Sequence, residues 1–310
     1  MVLAGGTGGA KLARGMLDVV GPERLTVIAN TGDDIEIYGA YVSPDPDLVT
    51  FWLADRIDER GWGLEGDSFE VMNTLRALGD EIWFNLGDQD LAIAIKRMQA
   101  LVNGRRLTEA QREIGLELGV GATVLPMSDQ PVRTRVLADG HWWTLQEFLI
   151  KARGQGEVQD VQFRGAGVAG TTPEVLSAIA QADAIIIGPS NPIISIGPIL
   201  AIDELRDALV ASSAPVVAVS PIVAGEVLKG PTASFMKHRR VEVSAAGVAA
   251  LYEGVIDGLV TDEESALPVR CAVTKILMDG PDGRRQLAER TLGFALDLAR
   301  HAPASSFPAE

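Results

Sequence analysis

Cysteine is almost absent from this sequence, since Cys271 is the single one among 310 residues. One thiol cannot form an internal disulfide, and no Cys–His spacing typical of a metal site is present. The three histidines share no motif. These absences exclude a disulfide scaffold and a cysteine-based metal site, and nothing indicates an oxidising compartment.

Long apolar runs are also missing. The most apolar stretch, residues 184–202, is interrupted by Gly188, Pro189, Pro192, Gly197 and Pro198, so it cannot be a membrane helix. The N-terminal residues have no basic region followed by a long apolar segment, which a secretory signal would require. We therefore expect a cytoplasmic protein that does not associate with a membrane.

Positive charge is in deficit, with 27 Lys and Arg against 42 Asp and Glu and a net charge of -15. A nucleic-acid-binding protein presents a basic surface, so we expect no nucleic-acid partner. An anionic ligand would instead need local Lys or Arg, backbone amides or a divalent cation. The hydrophobic fraction of 47% is ordinary for a globular protein, and the length is ample for a large core.

Short β-rich runs alternate with helical runs along the whole chain. This pattern is typical of a Rossmann-like α/β fold, in which a mostly parallel sheet carries helices on both faces. The runs at 25–29 and 184–187 are nearly all apolar, as expected for buried strands. A helix is predicted at 51–60 and a short strand at 82–85. We predict a single domain over residues 1–310, with a smaller α/β subdomain inserted near 86–165 and a flexible tail at 302–310.

A glycine-rich segment follows the first predicted strand and opens a helix. It consists of Gly5, Gly6, Thr7, Gly8 and Gly9, with Lys11 in the helix. Backbone N–H groups and a helix N-terminus in this arrangement suit a phosphate. The segment is neither a P-loop nor a full dinucleotide fingerprint, and Asn30 stands where a ribose-binding acid would be expected. We predict phosphate or nucleotide binding, with a tight packing turn as the alternative.

Acidic residues follow the second predicted strand and recur at residues 43–47. Asp33 and Asp34 belong to the segment 30–34, which follows that strand directly, at a carboxyl edge where α/β proteins bind ligands. Paired carboxylates suit a divalent cation or ribose hydroxyls, although they also occur in ordinary turns. In the Ser-Pro-Asp-Pro-Asp segment the prolines stiffen the backbone before Asp47. Asp47 is interpreted either as a helix N-cap or as an acid presented to the cleft.

Two later strand-to-helix junctions also carry polar residues. Asn85 and Asp88 are predicted to lie at the carboxyl edge of the sheet, with Asp88 also the N-cap of a helix over 89–102. The segment after the apolar strand at 184–187 is rich in Pro and Gly, and it contains Ser190, Asn191 and Ser195. A rigid polar loop at this place indicates ligand binding.

These motifs, in this order, resemble those of the 2-phospho-L-lactate transferase family of coenzyme F-420 biosynthesis. The likeness covers essentially the whole chain. Its most specific elements are Gly-Gly-Thr-Gly-Gly at 5–9, Asn-Thr-Gly-Asp-Asp at 30–34, Ser-Pro-Asp-Pro-Asp at 43–47, Leu-Gly-Asp-Gln-Asp at 86–90 and the long segment 188–199. The sequence departs from the family pattern at Pro46, where Leu is expected, and at Gln89, where Arg is usual. Neither departure removes a carboxylate.

The resemblance implies a reaction. A guanosine-diphosphate-linked phospho-acid, carrying 2-phospho-L-lactate or phosphoenolpyruvate, is the donor. The ribityl hydroxyl of the deazaflavin Fo attacks the phosphorus attached to the acid, and GMP leaves. The resemblance also implies a magnesium ion and a homodimer.

The resemblance assigns roles to individual residues. Asp47 and Asp33 are the expected catalytic acids. Asp47, Asn85 and Asp88 are expected to contact Fo. Asp33, Asp34 and Asp47 are the expected magnesium ligands. The nucleotide and its phosphates are assigned to Gly5, Gly6, Thr7, Gly8, Gly9, Lys11, Asn30, Ser190, Asn191 and Ser195.

Two other functions compete with this interpretation. Relatives of the family bind UDP-sugars without catalysis and regulate cell-wall metabolism, and they share the glycine-rich loop. The acids at 43–47 and the segment at 86–90 favour the transferase over such a regulator. A nicotinamide-dependent oxidoreductase is disfavoured because the dinucleotide fingerprint is incomplete and Asn30 replaces the expected acid.

Overall fold

The computed structural model describes residues 1–228, 230–264 and 266–301. The described strands are β1 (Val2–Ala4), β2 (Thr26–Ala29), β3 (Ile35–Ile37), β4 (Ala40–Val42), β5 (Thr123–Pro126), β6 (Arg133–Ala138), β7 (His141–Thr144), β8 (Val158–Arg164), β9 (Ile185–Ile187), β10 (Val216–Val219), β11 (Ile222–Val223), β12 (Glu226–Val227), β13 (Gly258–Thr261) and β14 (Arg270–Val273).

The described helices are α1 (Gly6–Val20), α2 (Pro44–Leu53), α3 (Glu70–Ala77), α4 (Asp88–Val102), α5 (Leu107–Glu117), α6 (Leu145–Ile150), α7 (Pro173–Ala180), α8 (Gly197–Leu200), α9 (Asp203–Val210), α10 (Thr232–His238), α11 (Ala245–Leu251) and α12 (Gly280–His301). Within these residues, no helix is both long enough and apolar enough to cross a bilayer.

Seven strands form one central sheet in the order β14-β13-β10-β9-β1-β2-β5. All neighbouring pairs in this sheet are parallel, and in the middle Leu3 is in register with both Ile28 and Ile187. Parallel strands need crossover connections, which the helices provide. The predicted α/β class with a mostly parallel sheet is therefore confirmed.

The core lies on both faces of this sheet, because successive strand residues point to opposite sides. On one face Leu3 and Ile28 belong to a cluster that includes Val175 of α7 and Val248 of α11. On the other face Val2, Ala4 and Val27 pack with residues of α1, α2 and α12, including Leu12, Val49 and Leu287. Helices on both faces hold the strand ends, and the loops that follow them, in fixed positions.

The order of the strands reverses beside β1. From β1 the chain proceeds to β2 and then β5 on one side, whereas β9, β10, β13 and β14 follow on the other side. The chain therefore leaves the carboxyl ends of β1 and β9 toward opposite sides of the sheet, and such a switch point is the usual ligand position in α/β sheets.

Smaller units surround the central sheet. Residues between β2 and β5 form the β3–β4 hairpin and helices α2 to α5, with a separate small core of Ala40, Val42, Met72, Leu86, Leu91 and Ala94. Strands β7, β6 and β8 form an antiparallel sheet of their own. The range 86–165 thus includes this sheet, α4 and α5, and also β5 of the central sheet. The division into domains stays a prediction.

Two local predictions were wrong. Residues 82–85 form no strand, because Ile82 and Phe84 satisfy their apolar character by packing on the small core instead of joining a sheet. The helix expected at 51–60 begins earlier, at Pro44, and ends at Leu53. Proline is favoured at the first helical position because its missing N–H has no intrahelical partner there. The tail at 302–310 lies outside the described residues.

Candidate active site at the carboxyl edge of the sheet

The glycine-rich loop packs directly on the loop that follows β9. A Cβ atom on Gly8 would lie 2.0 Å from the carbonyl oxygen of Pro189, and one on Gly9 would lie 2.6 Å from Ser190 Oγ. The Gly5 N–H donates to Ser190 Oγ at 3.4 Å. Glycine is required here because any side chain would force the two backbones apart. The loop is therefore a packing turn as well as the N-terminus of α1.

Asp45 occupies the mouth of this loop. Its Oδ1 accepts a hydrogen bond from the Gly6 N–H at 2.5 Å, and its Oδ2 accepts one from Asn30 Nδ2 at 2.8 Å. The side chain is buried, and burial raises its pKa to about 6. The Gly6 N–H, in the loop that the sequence predicts to bind phosphate, thus already donates to an anionic oxygen.

Asp33 lies next to Asp45. Asn30 Nδ2 is 3.5 Å from Asp33 Oδ1, and Gln146 Nε2 of α6 donates to Asp33 Oδ2 at 3.1 Å. Burial raises the pKa of Asp33 well above its usual range, and the carboxylates of Asp45 and Asp34 raise it further. Asn30 therefore joins the two acids, and Gln146 was not anticipated from sequence.

Asp34 is bound by hydroxyl groups. Tyr41 OH donates to its Oδ2 at 2.9 Å, and Ser43 Oγ donates to its Oδ1 at 2.7 Å. Arg133 donates to the Tyr41 hydroxyl at 3.0 Å and stacks 5.5 Å from the ring centroid. Burial raises the pKa of Asp34 to about 7, against the opposing charge of Arg133. Both oxygens of Asp34 serve to join residues 30–34 to the β3–β4 hairpin.

Asp47 forms an ion pair with the fully buried Arg97 of α4. Arg97 NH2 contacts Asp47 Oδ1, and NH1 donates to Asp47 Oδ2 at 3.1 Å. The guanidinium also donates to the Tyr41 carbonyl at 3.1 Å and to Gln111 Oε1 at 3.2 Å. Burial raises the pKa of Asp47, and the charge of Arg97 lowers it. Both carboxylate oxygens of Asp47 thus accept hydrogen bonds from Arg97.

The interpretation of Asp47 as an N-cap was wrong. The N-cap of α2 is Ser43, and Asp47 is the fourth residue of the helix. Asp45, at the second helical position, is the acid that faces the glycine-rich loop. If the helix start had been predicted at Pro44, the acid in its first turn would have identified Asp45 as a candidate.

Asn85 and Asp88 lie at the junction of α3 and α4, not at the carboxyl end of a strand in the central sheet, because residues 82–85 form no strand. Asn85 Oδ1 accepts from Arg76 at 2.6 Å. Asp88 caps the start of α3, accepting from Ser68 Oγ at 2.6 Å and from two backbone amides at 3.0 Å.

Asp88 is also not the N-cap of α4, which is Gly87. The carboxylate of Asp67 accepts from the Gln89 N–H at 2.9 Å and satisfies the first turn of that helix instead. Asp88 of α4 therefore caps α3, and Asp67, which precedes α3, caps α4. Contacts of Asn85 and Asp88 with Fo stay predictions.

The loop after β9 uses its polar residues in different ways. Asn191 Oδ1 accepts from the N–H groups of Ile193 and Ile194 at 2.9 and 3.1 Å, and its amide donates to Thr232. Asn191 therefore shapes the loop. Ser195 lies against the glycine-rich loop, where its Oγ would be 3.7 Å from a Cβ on Gly6.

Two further residues assigned to the nucleotide belong to this region. Thr7 is in the first turn of α1, and Lys11 lies one turn later with Nζ 5.7 Å from the ring centroid of Trp52. Binding of a nucleotide by these residues stays a prediction.

The carboxylates offer hard oxygen ligands of the type that magnesium prefers. Across the described ranges, no group of three or more His, Cys, Asp or Glu side chains is arranged to hold a metal ion. Magnesium is nevertheless often held by one or two carboxylates together with substrate phosphates. Asp33 and Asp45 meet that requirement, because they share Asn30 beside the glycine-rich loop.

The chain is similar in sequence to proteins of known family. The family model described as 2-phospho-L-lactate transferase CofD matches residues 1–275. A protein named 2-phospho-L-lactate transferase from Methanosarcina mazei is 39% identical over 264 residues, which are 85% of this chain and 86% of that protein. One of the same name from Methanocaldococcus jannaschii is 38% identical, covering 96% and 98%. A protein named phosphoenolpyruvate transferase from Streptomyces griseus is also 38% identical, covering 96% and 98%.

A solved structure shares the fold. The crystal structure of a member of the upf0052 family from Bacillus halodurans superposes with a TM-score of 0.58 and 18% identity, covering 94% of this chain and 98% of that one. At this identity the likeness concerns the fold alone.

The ion pair of Arg97 with Asp47 generates a prediction about stability. Arg97→Met retains the length of the side chain but leaves Asp47 buried without a partner. We expect the free energy of unfolding to fall by about 3–5 kcal/mol, the usual cost of breaking a buried pair. Urea denaturation measures this loss. Combining Arg97→Met with Asp47→Leu removes both charges and should restore much of the stability.

The neighbouring residue provides a matched control. Lys96 pairs with Glu113 and Glu117 at the surface, so Lys96→Met should leave the urea midpoint nearly unchanged. If Arg97→Met and Lys96→Met unfold at the same urea concentration, the buried pair does not stabilise the fold.

Proposed function

This chain belongs to the 2-phospho-L-lactate transferase family, and on that premise we propose which group it transfers and to which acceptor. The family membership confirms the resemblance seen in the sequence, and relatives named for either phospholactate or phosphoenolpyruvate make the chain an enzyme of this type. The proposed donor is guanosine-diphosphate-linked 2-phospho-L-lactate or phosphoenolpyruvate. The proposed acceptor is the ribityl hydroxyl of Fo, and GMP is the proposed second product.

One observation carries this proposal: an anion-accepting amide and two buried carboxylates meet at the crevice beside β1. The Gly6 N–H already binds a carboxylate oxygen of Asp45. The N-terminus of α1 adds its positive dipole end and contains no acidic residue in the first turn. We therefore place the diphosphate of the donor at residues 5–9, with Ser190 and Ser195 along the same edge.

The acceptor hydroxyl must lose its proton as it attacks phosphorus. The new bond joins the ribityl oxygen to the phosphorus attached to the acid, and the bond from that phosphorus to the GMP oxygen breaks. A nearby carboxylate would accept the hydroxyl proton. Asp45 suits this role because its pKa of about 6 leaves it ionised near neutral pH yet basic enough to accept a proton.

Asp47 and Asp33, the acids assigned by resemblance, take different parts in this scheme. Asp47 is held by Arg97, so its proposed contribution is to orient Fo from a fixed position on the first turns of α2. Asp33 is held by Gln146 and adjoins Asp45. Its negative charge needs compensation when the anionic donor enters, which supports a bound cation.

Magnesium would supply that compensation by neutralising charge on the phosphates. The resemblance assigns it to Asp33, Asp34 and Asp47. Asp47 is ion-paired with Arg97, and the positive charge of Arg133 compensates Asp34. Asp33 and Asp45 instead accept their hydrogen bonds from uncharged amide groups. We therefore propose Asp33 and Asp45 as the residues that would hold the ion, with the phosphates completing its coordination.

The direct test of the function is an assay with defined substrates. Purified protein is incubated with Fo and either guanylylated phospholactate or guanylylated phosphoenolpyruvate, and GMP and the product mass are measured. We expect equal amounts of GMP and Fo product with at least one donor, and no GMP when Fo is omitted. Binding of a UDP-sugar with no product from either donor would instead support the regulator.

Metal removal provides a second prediction. Activity should disappear in EDTA and return with excess magnesium, because two adjacent carboxylates and an anionic donor otherwise repel each other. Asp33→Asn should raise the magnesium concentration needed for half-maximal activity. Full turnover in the chelator would exclude a magnesium requirement.

The buried acid Asp45 of α2 provides a third prediction. Asp45→Asn retains the size of the side chain and removes its charge, so we expect kcat to fall about 100-fold or more. Asp183→Asn changes an exposed acid that precedes β9, at the opposite edge of the sheet from the site, and should leave kcat unchanged. Thermal unfolding of the same preparations checks folding. A folded Asp45→Asn variant with wild-type kcat would remove Asp45 from the mechanism.

A further inference from the structure

The loop between α2 and α3 is folded as a small hairpin. Ile57 and Leu64 form an antiparallel bridge. The Asp58 N–H donates to the Gly63 carbonyl at 3.0 Å, and the Glu65 N–H donates to the Arg56 carbonyl at 2.8 Å. These bonds give the tip of the hairpin, residues 59–63, a defined position.

The tip lies between the glycine-rich loop and α4. A Cβ on Gly61 would be 3.8 Å from the Thr7 methyl group, and one on Gly63 would be 3.4 Å from Asp90 Oδ2. Arg60 supports the tip, because it donates to Asp58 Oδ1 at 2.6 Å and stacks 6.0 Å from the Phe69 ring centroid. The residue between the two glycines is therefore at the edge of the candidate site.

That residue is Trp62, whose exposed fraction is 64%. Among the described residues, it is the single aromatic side chain in the set of exposed large hydrophobics. The other four tryptophans differ: Trp52 is buried, and each of Trp83, Trp142 and Trp143 is half-buried and has a ring or cation contact.

The backbone holds Trp62 in this exposed position. Gly61 and Gly63 have φ of 85° and 67°, a region that other residues adopt only with strain. With both neighbours in this conformation and hydrogen bonds across the hairpin, the indole is presented to solvent, and its neighbour Gly61 lies close to Thr7. A free indole face next to an anion-binding loop suits a flat ring attached to the bound anion.

We propose that Trp62 is a ligand-binding residue that stacks on a planar heteroaromatic ring at the entrance of the site. This inference rests on the proposed function, in which both the donor's guanine and the deazaflavin of Fo are such rings. Stacking on an aromatic side chain tolerates any ring with a π-face. The two ligands are therefore distinguished by measurement.

The experiment measures the affinities of GMP and of Fo separately by calorimetry, for the wild type, Trp62→Ala and Trp62→Phe. We expect Trp62→Ala to weaken the binding of one ligand about 10-fold or more, the usual effect of removing a stacking side chain. Trp62→Phe should retain most of the affinity, because a ring face remains. The ligand whose affinity falls is the one that stacks.

The control is Leu78→Ala, which shortens another exposed apolar side chain, 76% exposed, at the end of α3. It should change neither affinity. All variants should keep the wild-type thermal midpoint, since Trp62 is largely outside the core.

Turnover of the wild type, assayed in parallel, separates this inference from the proposed function. Unchanged affinities in Trp62→Ala together with wild-type turnover would overturn the stacking role alone. A Trp62-dependent affinity for GMP or Fo without turnover would support stacking while the transfer reaction fails. Wild-type protein that binds neither ring would overturn both.

Discussion

Where the sheet reverses its strand order, the backbone of Gly8 lies against the carbonyl of Pro189. This contact joins the loops after β1 and β9, which would otherwise diverge from the crevice. The Gly5 N–H and Ser190 Oγ add a hydrogen bond across the same junction. Because the loops are in contact, the amides at the start of α1 lie next to the acids that follow β2 and begin α2. The other parts of the candidate site are arranged around this junction.

The acids of the site are buried, which is costly for charged groups unless they are paired or hydrogen-bonded. Each is treated differently. Asp47 has a buried guanidinium, Asp34 has two hydroxyl donors, and Asp33 and Asp45 share the amide of Asn30. The first two are thereby fixed parts of the framework. Asp33 and Asp45 accept from uncharged amide groups beside the glycine-rich loop, which supports the proposal that the chemistry involves them.

The same arrangement would allow an acidic protein to accept the proposed anionic donor. The net charge of -15 opposes such a ligand at long range. Close to the crevice, however, the helix N-terminus and a cation held by two carboxylates would act at short distances, where bulk charge is screened. The hairpin that carries Trp62 adds an uncharged contact, which can contribute affinity without adding to this repulsion.

The sequence alone determined the features that depend on local chemistry. The alternation of apolar runs indicated a parallel α/β sheet, and the glycine-rich segment marked the start of α1. Asp139-Gly140, a pair that favours positive φ, forms the turn between β6 and β7 with φ of 50° and 76°. The matching motifs also indicated the family. Only the tertiary structure showed that Asp45 contacts the glycine-rich loop, whereas Asp47 pairs with Arg97. The partners of the site's acids are remote in sequence. Arg97 is 50 residues from Asp47, and Gln146 is 113 residues from Asp33. Residues 82–85 do not form the predicted strand because an apolar run is compatible with either a sheet or a small core. Packing against residues remote in sequence determines which of the two forms.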